Sequence, residues 1–214
     1  YRKEKVFETL HPFKLLFSQG LIKVINFNTL FDSFYLTRAL ALHRSLMRHC
    51  ESFHLYAYCF DDLAYERLLQ LKLPHVTAVA LRNFENAEML SVKSSRTRGE
   101  YCWTSTSQII KHSLETFKLS EVTYIDADLS FFSDPKILLD AFYKANDAVL
   151  LTEHNYAPAY DKSKISGIYC VQFMTFKNNP EALEALNWWK DRCIEWCFNR
   201  VENGKFGDQK YLDD

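Results

Sequence analysis

Asp126 and Asp128 stand one residue apart, where the apolar run over residues 122–125 stops and a second one begins at Leu129. If the run is a buried strand, side chains at i and i+2 point the same way. Both carboxylates then reach one hard divalent cation, which takes oxygen ligands and keeps waters and substrate phosphates in the rest of its shell. The chemistry this points to is work on a metal-bound diphosphate. An exposed turn with two solvated aspartates carries the same pattern, and Asp-x-Asp is common in a chain with 13 aspartates. The apolar flanks are what weigh against a plain turn, because an acidic pair buried without a partner is costly.

The elements that must position this pair read as alternating strands and helices. A short strand over residues 23–27 leads into a polar turn over 28–33. Helical spacing follows over 35–48, with Ala39, Leu42 or His43, and Leu46 on one side. Residues 53–60 alternate as a second strand that ends at Asp61 and Asp62. Residues 63–72 are helical, and Pro74 leads into a third strand over 76–81. Residues 83–103 read as a loop with a basic patch of Lys93, Arg96 and Arg98. That patch suits a solvated loop or a contact with a phosphorylated or lipid-diphosphate acceptor. A helix over 105–117, with Ile109, Ile110 and Leu114 inward, feeds the strand ending at Asp126. Further on come a helix over 137–144 and strands over 148–152 and 169–176. A last helix opens with Asn179 as cap and Pro180 as first residue and stops near Asn203 and Gly204. This alternation specifies a mainly parallel sheet with crossover helices. In such sheets ligands bind outside the carboxyl ends of the strands, where Asp61, Asp126 and the turn after Phe27 all fall.

The bulk properties bound the function. A length of 214 residues with 48% apolar and 25% charged residues fits one globular domain with a full core. Net charge is −1, so no basic field calls for nucleic acid. Six cysteines without a Cys-x-x-Cys pair read as reduced thiols in a cytoplasmic protein, with Cys193 and Cys197 on one helix face. No apolar run is long enough to span a membrane. Residues 1–22 mix Arg2, Lys3 and Lys5 with Val6, Phe7, Leu10 and Phe13; they read as a packed terminal helix or, alternatively, a peripheral membrane contact. The domain proper is expected over 23–214. The chain begins at Tyr1 and stops at Asp214, which reads as a piece of a longer protein cut at the C-terminal side.

Three segments in order resemble the GT-A glycosyltransferases: Phe27-Asn28-Thr29-Leu30-Phe31-Asp32, the Asp126/Asp128 strand end, and Gly207-Asp208-Gln209. Within that group the chain is similar to nucleotide-sugar transferases of the retaining galactosyl- and glucosyltransferase type. Bacterial members are matched further by Tyr101-Cys102-Trp103-Thr104, by Phe131-Phe132-Ser133-Asp134-Pro135, and by the run from Gly204 to Leu212. The resemblance implies an α/β GT-A (Rossmann-like) fold with a mixed, mainly parallel sheet flanked by helices. It implies a UDP-sugar donor, a carbohydrate, lipid or protein acceptor, and Mn²⁺ or Mg²⁺ on Asp126 and Asp128. Thr29, Asp32 and Tyr35 would form the nucleoside-binding edge, completed by Asp61. Trp103 and Thr104 would line the donor sugar, and Lys111 is the candidate donor-binding cation. Asp208 and Gln209 would be the catalytic pair, holding sugar hydroxyls and stabilising charge at the anomeric carbon; in an inverting enzyme Asp208 would serve as general base.

Several of these residues also have plainer readings. Asp208 could cap a short helix over 210–212, Trp103 could be core, and Lys111 could be a solvated helix residue. Cys170 and Gln172 stand where the family has Asn and a small residue. A third metal ligand, a His, would lie beyond Asp214 in relatives, while His154 belongs to the acceptor side or to the fold. A sugar nucleotidyltransferase would need a Gly-rich basic loop after the first strand, and residues 28–33 contain neither Gly nor Lys. The remaining rival is a catalytically degenerate donor-binding domain of a larger assembly.

Overall fold

Strand β1 (Ile25–Phe31) is buried along almost its whole length, as a strand covered on both faces must be. The computed structural model describes residues 23–214, so the expected N-terminal helix over 1–22 lies outside the described residues. Strands β2 (Phe53–Cys59), β3 (Val76–Ala80) and β4 (Glu121–Ile125) run parallel with β1, β2 and β4 flanking it on either side. Strands β5 (Val149–Glu153) and β6 (Tyr169–Lys177) complete the sheet. Its order is β3-β2-β1-β4-β6-β5, with β6 antiparallel to both of its neighbours. The α/β fold expected from the alternation is the one observed.

Among the described residues seven α-helices follow in chain order: α1 (Leu36–His49), α2 (Asp62–Leu71), α3 (Ala87–Lys93), α4 (Arg98–Thr116), α5 (Lys136–Ala145), α6 (Ser163–Ser166) and α7 (Pro180–Glu195). Alternate strand residues face opposite ways. Phe27, Leu55, Ile125 and Phe173 pack with Leu42 and Leu46 of α1 and Leu139 of α5 on one face. Tyr58, Val122, Tyr124 and Met174 pack with Ile109, Ile110 and Leu114 of α4 and Leu186 and Trp189 of α7 on the other. Each fully buried Leu or Ile contributes about 1.5–3 kcal/mol relative to exposure. The chain leaves β1 for β2 under α1 but enters β4 from α4, on the opposite face. β1 and β4 are therefore neighbours whose connections diverge, and a crevice opens between their carboxyl ends.

The structure differs from the sequence reading in four places. The segment expected as a polar turn over 28–33 continues as strand through Phe31. Asn28 is fully buried there, its amide donating to the Ile109 carbonyl at 3.2 Å and to Ser113 Oγ at 3.0 Å. A polar residue looks like a turn residue locally, but a partner on a distant helix makes it a strand residue. Second, the expected loop over 83–103 contains α3 and the first turns of α4. Thr97 and Glu100 form a capping box that starts α4 well before Ser105. The basic patch disperses: Lys93 pairs with Glu85, Arg96 donates to the Ile194 carbonyl, and Arg98 turns to other acids. Third, α7 ends at Glu195, where Trp196 turns extended. Asn203 and Gly204, at φ 49° and 78°, instead turn a small bridge between Glu202 and Lys205; Asn-Gly marks a turn, not specifically a helix end. Fourth, Cys193 and Cys197 therefore do not share a helix face, since Cys197 lies past α7, although both are buried and all six cysteines are free. Among the described residues no helix is long and apolar enough to cross a membrane.

Candidate active site

The crevice between β1 and β4 holds a cavity of 360 Å³. Its floor comes from Leu30, Phe31 and Asp32 at the end of β1 and from Tyr124, Asp126, Ala127 and Asp128 at the end of β4. One wall is a single face of α4, namely Arg98, Cys102 and Thr106 at i, i+4 and i+8 beside Gly99 and Trp103. Tyr35, just ahead of α1, closes the other side.

Asp126 and Asp128 share this cavity, although strand alternation is not the reason. β4 ends at Ile125, and residues 126–129 form a turn in which the Leu129 N–H donates to the Asp126 carbonyl at 3.2 Å. The Asp126 N–H donates to the Gln172 carbonyl of β6 at 3.1 Å, which fixes the start of that turn. Burial raises the Asp126 carboxyl above its usual range and the Asp128 charge adds to this, against a hydrogen bond of 2.8 Å from the Tyr124 hydroxyl. Asp128 is exposed. Among the described residues no cationic side chain pairs with either carboxylate. That excess of negative charge in a cleft fits a hard cation. Among the described residues no group of three or more His, Cys, Asp and Glu side chains is arranged to hold a metal ion, so within them Asp126 and Asp128 are the carboxylates that could reach one.

The other expected residues divide between the cleft and its surroundings. Asp32 lines it, accepting from the Phe34 and Tyr35 N–H groups at 2.9 and 3.1 Å and pairing with Arg98 at 2.8 Å. Asp61 caps α2 by accepting from the Ala64 N–H at 2.8 Å, and takes the Ser33 N–H, the Ser33 hydroxyl and an Arg98 N–H as well. Burial pushes its carboxyl up, but these hydrogen bonds outweigh that and hold it below the usual value. Trp103 lines the cleft and packs against Gly207, whose φ of +55° keeps the chain close to the indole. Thr29 is fully buried in β1 and Thr104 is fully buried in α4, its hydroxyl donating to the Glu100 carbonyl at 2.8 Å; neither lines the cleft. Lys111 lies one helix face away, donating to Asn187 at 2.6 Å.

Asp208 sits beneath the α4 wall. Its carboxyl is pushed up to about 7, first by burial and then by the charge of Asp126; the N–H groups of Asp208 and Gln209 and the Thr106 hydroxyl act in the opposite sense. The short 3₁₀ turn over Gln209–Asp213 receives no capping bond from this side chain. The backbone carbonyl of Asp208 accepts the buried Trp189 indole N–H at 2.8 Å, which ties the segment to α7. Gln209 points away from the cleft, donating to the Ser166 carbonyl at 2.8 Å and bonding His154. Cys170 is half-buried within the field of Asp126 and Asp208. Arg98, Gly99, Cys102 and Thr106 form a cleft wall that sequence reasoning did not assemble, with Arg98 read as part of a basic loop and Cys102 as part of a family-like motif. The signal was present in Thr97-x-x-Glu100: starting the helix there puts all four on one recurring face.

No family model matches the chain. It is 33% identical over 199 residues to the uncharacterized protein YfnD of Bacillus subtilis (strain 168), covering 90% of this chain and 62% of that protein. The chain thus spans under two thirds of the length of this curated relative. Among solved structures it is similar to the galactosyltransferase LgtC in complex with donor and acceptor sugar analogues. That match has 9% identity and a TM-score of 0.63, over 88% of this chain and 69% of LgtC. It is likewise similar to mouse xyloside xylosyltransferase 1, at 12% identity and a TM-score of 0.58 over 89% and 81%. The fold is that of the GT-A glycosyltransferases.

Proposed function

We propose that this chain is the donor-binding domain of a metal-dependent glycosyltransferase that moves a hexose from a nucleoside-diphosphate sugar, a UDP-sugar, to a carbohydrate, lipid or protein acceptor, with retention. The observation that carries this is the Asp126-Ala127-Asp128 turn. It lies at the switch point of the sheet and presents two uncompensated carboxylates to the cleft. In the reaction the bond from the anomeric carbon to the diphosphate oxygen breaks and one to an acceptor oxygen forms. Asp126 and Asp128 would hold Mn²⁺ or Mg²⁺, which when bound acts as a Lewis acid on the diphosphate oxygens. Asp32 and Tyr35 sit where the nucleoside would lie, and Trp103 walls the sugar end. Asp208, buried below that wall and within the field of Asp126, would in its negative form stabilise positive charge developing at the anomeric carbon. One feature favours a binding domain without turnover: Gln209, the expected partner of Asp208, is committed to Ser166 and His154. Nucleotide binding with no transfer or donor hydrolysis by the full-length protein would establish that second reading.

Thermal unfolding with UDP, GDP and UDP-sugars, each with and without Mn²⁺, tests the proposal on this chain and on Asp128→Asn. A ligand at about 100 times its dissociation constant stabilises by roughly 2.7 kcal/mol, a rise of roughly 5–10 °C for this size. We expect a Mn²⁺-dependent rise with one nucleotide that the variant loses. An equal rise in the variant, or none with any nucleotide, would sink the metal-diphosphate site.

A further inference from the structure

The cleft is lined by three carboxylates, Asp32, Asp126 and Asp128, and by one cationic side chain, Arg98. A nucleoside diphosphate entering it meets mainly negative charge. One divalent ion on the Asp126/Asp128 turn offsets part of that, and the departing diphosphate gains charge as the sugar leaves. A further cation facing the phosphates would offset that charge; Lys111 lies outside this cleft, donating to Asn187.

Arg98 is held rather than loose. Its Nε lies 2.8 Å from Asp32 Oδ2 and its Nη2 lies 2.7 Å from Asp61 Oδ2, so two carboxylates from the ends of β1 and β2 grip one guanidinium. The Nη1 nitrogen has no protein acceptor among the described residues, and half of the side chain is open to solvent. A guanidinium offers five N–H donors in a rigid fork suited to phosphate oxygens. Gly99 beside it carries no side chain, and a Cβ there would meet nothing within 4 Å. The wall next to the guanidinium is thus open to a bulky anion.

We propose that Arg98 is the diphosphate-binding cation of this cleft and that Asp61 is a positioning residue that aims it, rather than a direct part of the nucleoside-binding edge. This rests on the nucleoside-diphosphate reading above. Asp61 reaches the substrate only through Arg98, which explains why an acid at the end of β2 belongs to a site built between β1 and β4.

The test compares uridine, UMP and UDP (and the guanosine series) by calorimetry with Mn²⁺ present, on the wild-type chain, Arg98→Gln, Arg98→Lys and Asp61→Asn. A charge-assisted hydrogen bond to phosphate lost on truncation lowers affinity by about 10- to 100-fold. Arg98→Gln should lose that much for the diphosphate while keeping nucleoside affinity. Arg98→Lys should recover part of it as a point charge, and Asp61→Asn should give a smaller loss of the same selectivity. If Arg98→Gln fails to fold, the nucleoside-to-diphosphate ratio in Arg98→Lys and Asp61→Asn decides alone. Equal losses for uridine and UDP, or no loss, would overturn the assignment of Arg98 while leaving the donor site standing. A wild-type chain that binds no nucleoside diphosphate would overturn both.

Discussion

Asp208 should make this protein less stable as it is brought to neutral pH, and Asp208→Asn should abolish the effect. In the unfolded chain its carboxyl ionises near 3.8, whereas burial and the Asp126 charge push it up to about 7 in the folded protein. Between those two values the folded state binds more protons than the unfolded state, so unfolding free energy falls as pH rises, and the loss is complete above the folded value. A difference of about 3 pKa units corresponds to about 4 kcal/mol. From pH 5 to pH 8 the stability of Asp208→Asn relative to the wild type should rise by about 3 kcal/mol, or roughly 6–12 °C in Tm. Urea or thermal denaturation of both proteins in a chelator, at steps across that range, measures it directly. Titrating groups remote from Asp208 cancel in the difference between variants. Parallel pH profiles, or a difference that shrinks toward pH 8, would refute the reasoning: they would mean that water or a hydrogen-bond partner already solvates the carboxylate. If the difference appears, Asp208 is a residue kept at a cost in stability, which is the pattern of functional acids.

Two further outcomes probe the scaffold. Gly99→Ala should raise Tm by a few degrees, since it replaces a helical glycine by a better former worth up to about 1 kcal/mol where a Cβ meets nothing within 4 Å. A fall in Tm would show that α4 begins differently. Asn28→Ala should cost about 2–3 kcal/mol by removing the amide's bonds to Ile109 and Ser113 and leaving a void. Urea midpoints with an unchanged slope would check this, and a change below about 0.5 kcal/mol would mean the side chain behaves as it would in an exposed turn.

The order of strands and helices follows from the sequence alone, because burial on both faces writes apolar runs and helix caps write local signals. Asn179 before Pro180 marks the start of α7 as read, with Asn179 accepting from the Ala182 N–H. Asp126 and Asp128 were legible for the same reason, as an acidic break between apolar stretches. Of the misread boundaries, the one at Asn28 depends on a partner elsewhere, whereas the start of α4 was written locally in the Thr97/Glu100 capping box. Asn28 belongs to a strand because Ser113 waits on α4.

The composition of the site was decided by tertiary structure. Asp61 reads as the completion of the nucleoside-binding edge because it ends a strand, yet it grips Arg98, 37 residues away, across the junction of β2 and α4. Gln209 follows Asp208 directly, yet their side chains part company, one beneath the cleft and the other at Ser166. Local patterning sets what a segment becomes, since neighbours within a turn of helix or two residues of strand interact whatever the fold. Which charges meet depends on how far apart the sheet order places the elements that carry them, and here β4 slots beside β1 after two strands have been laid on the other side.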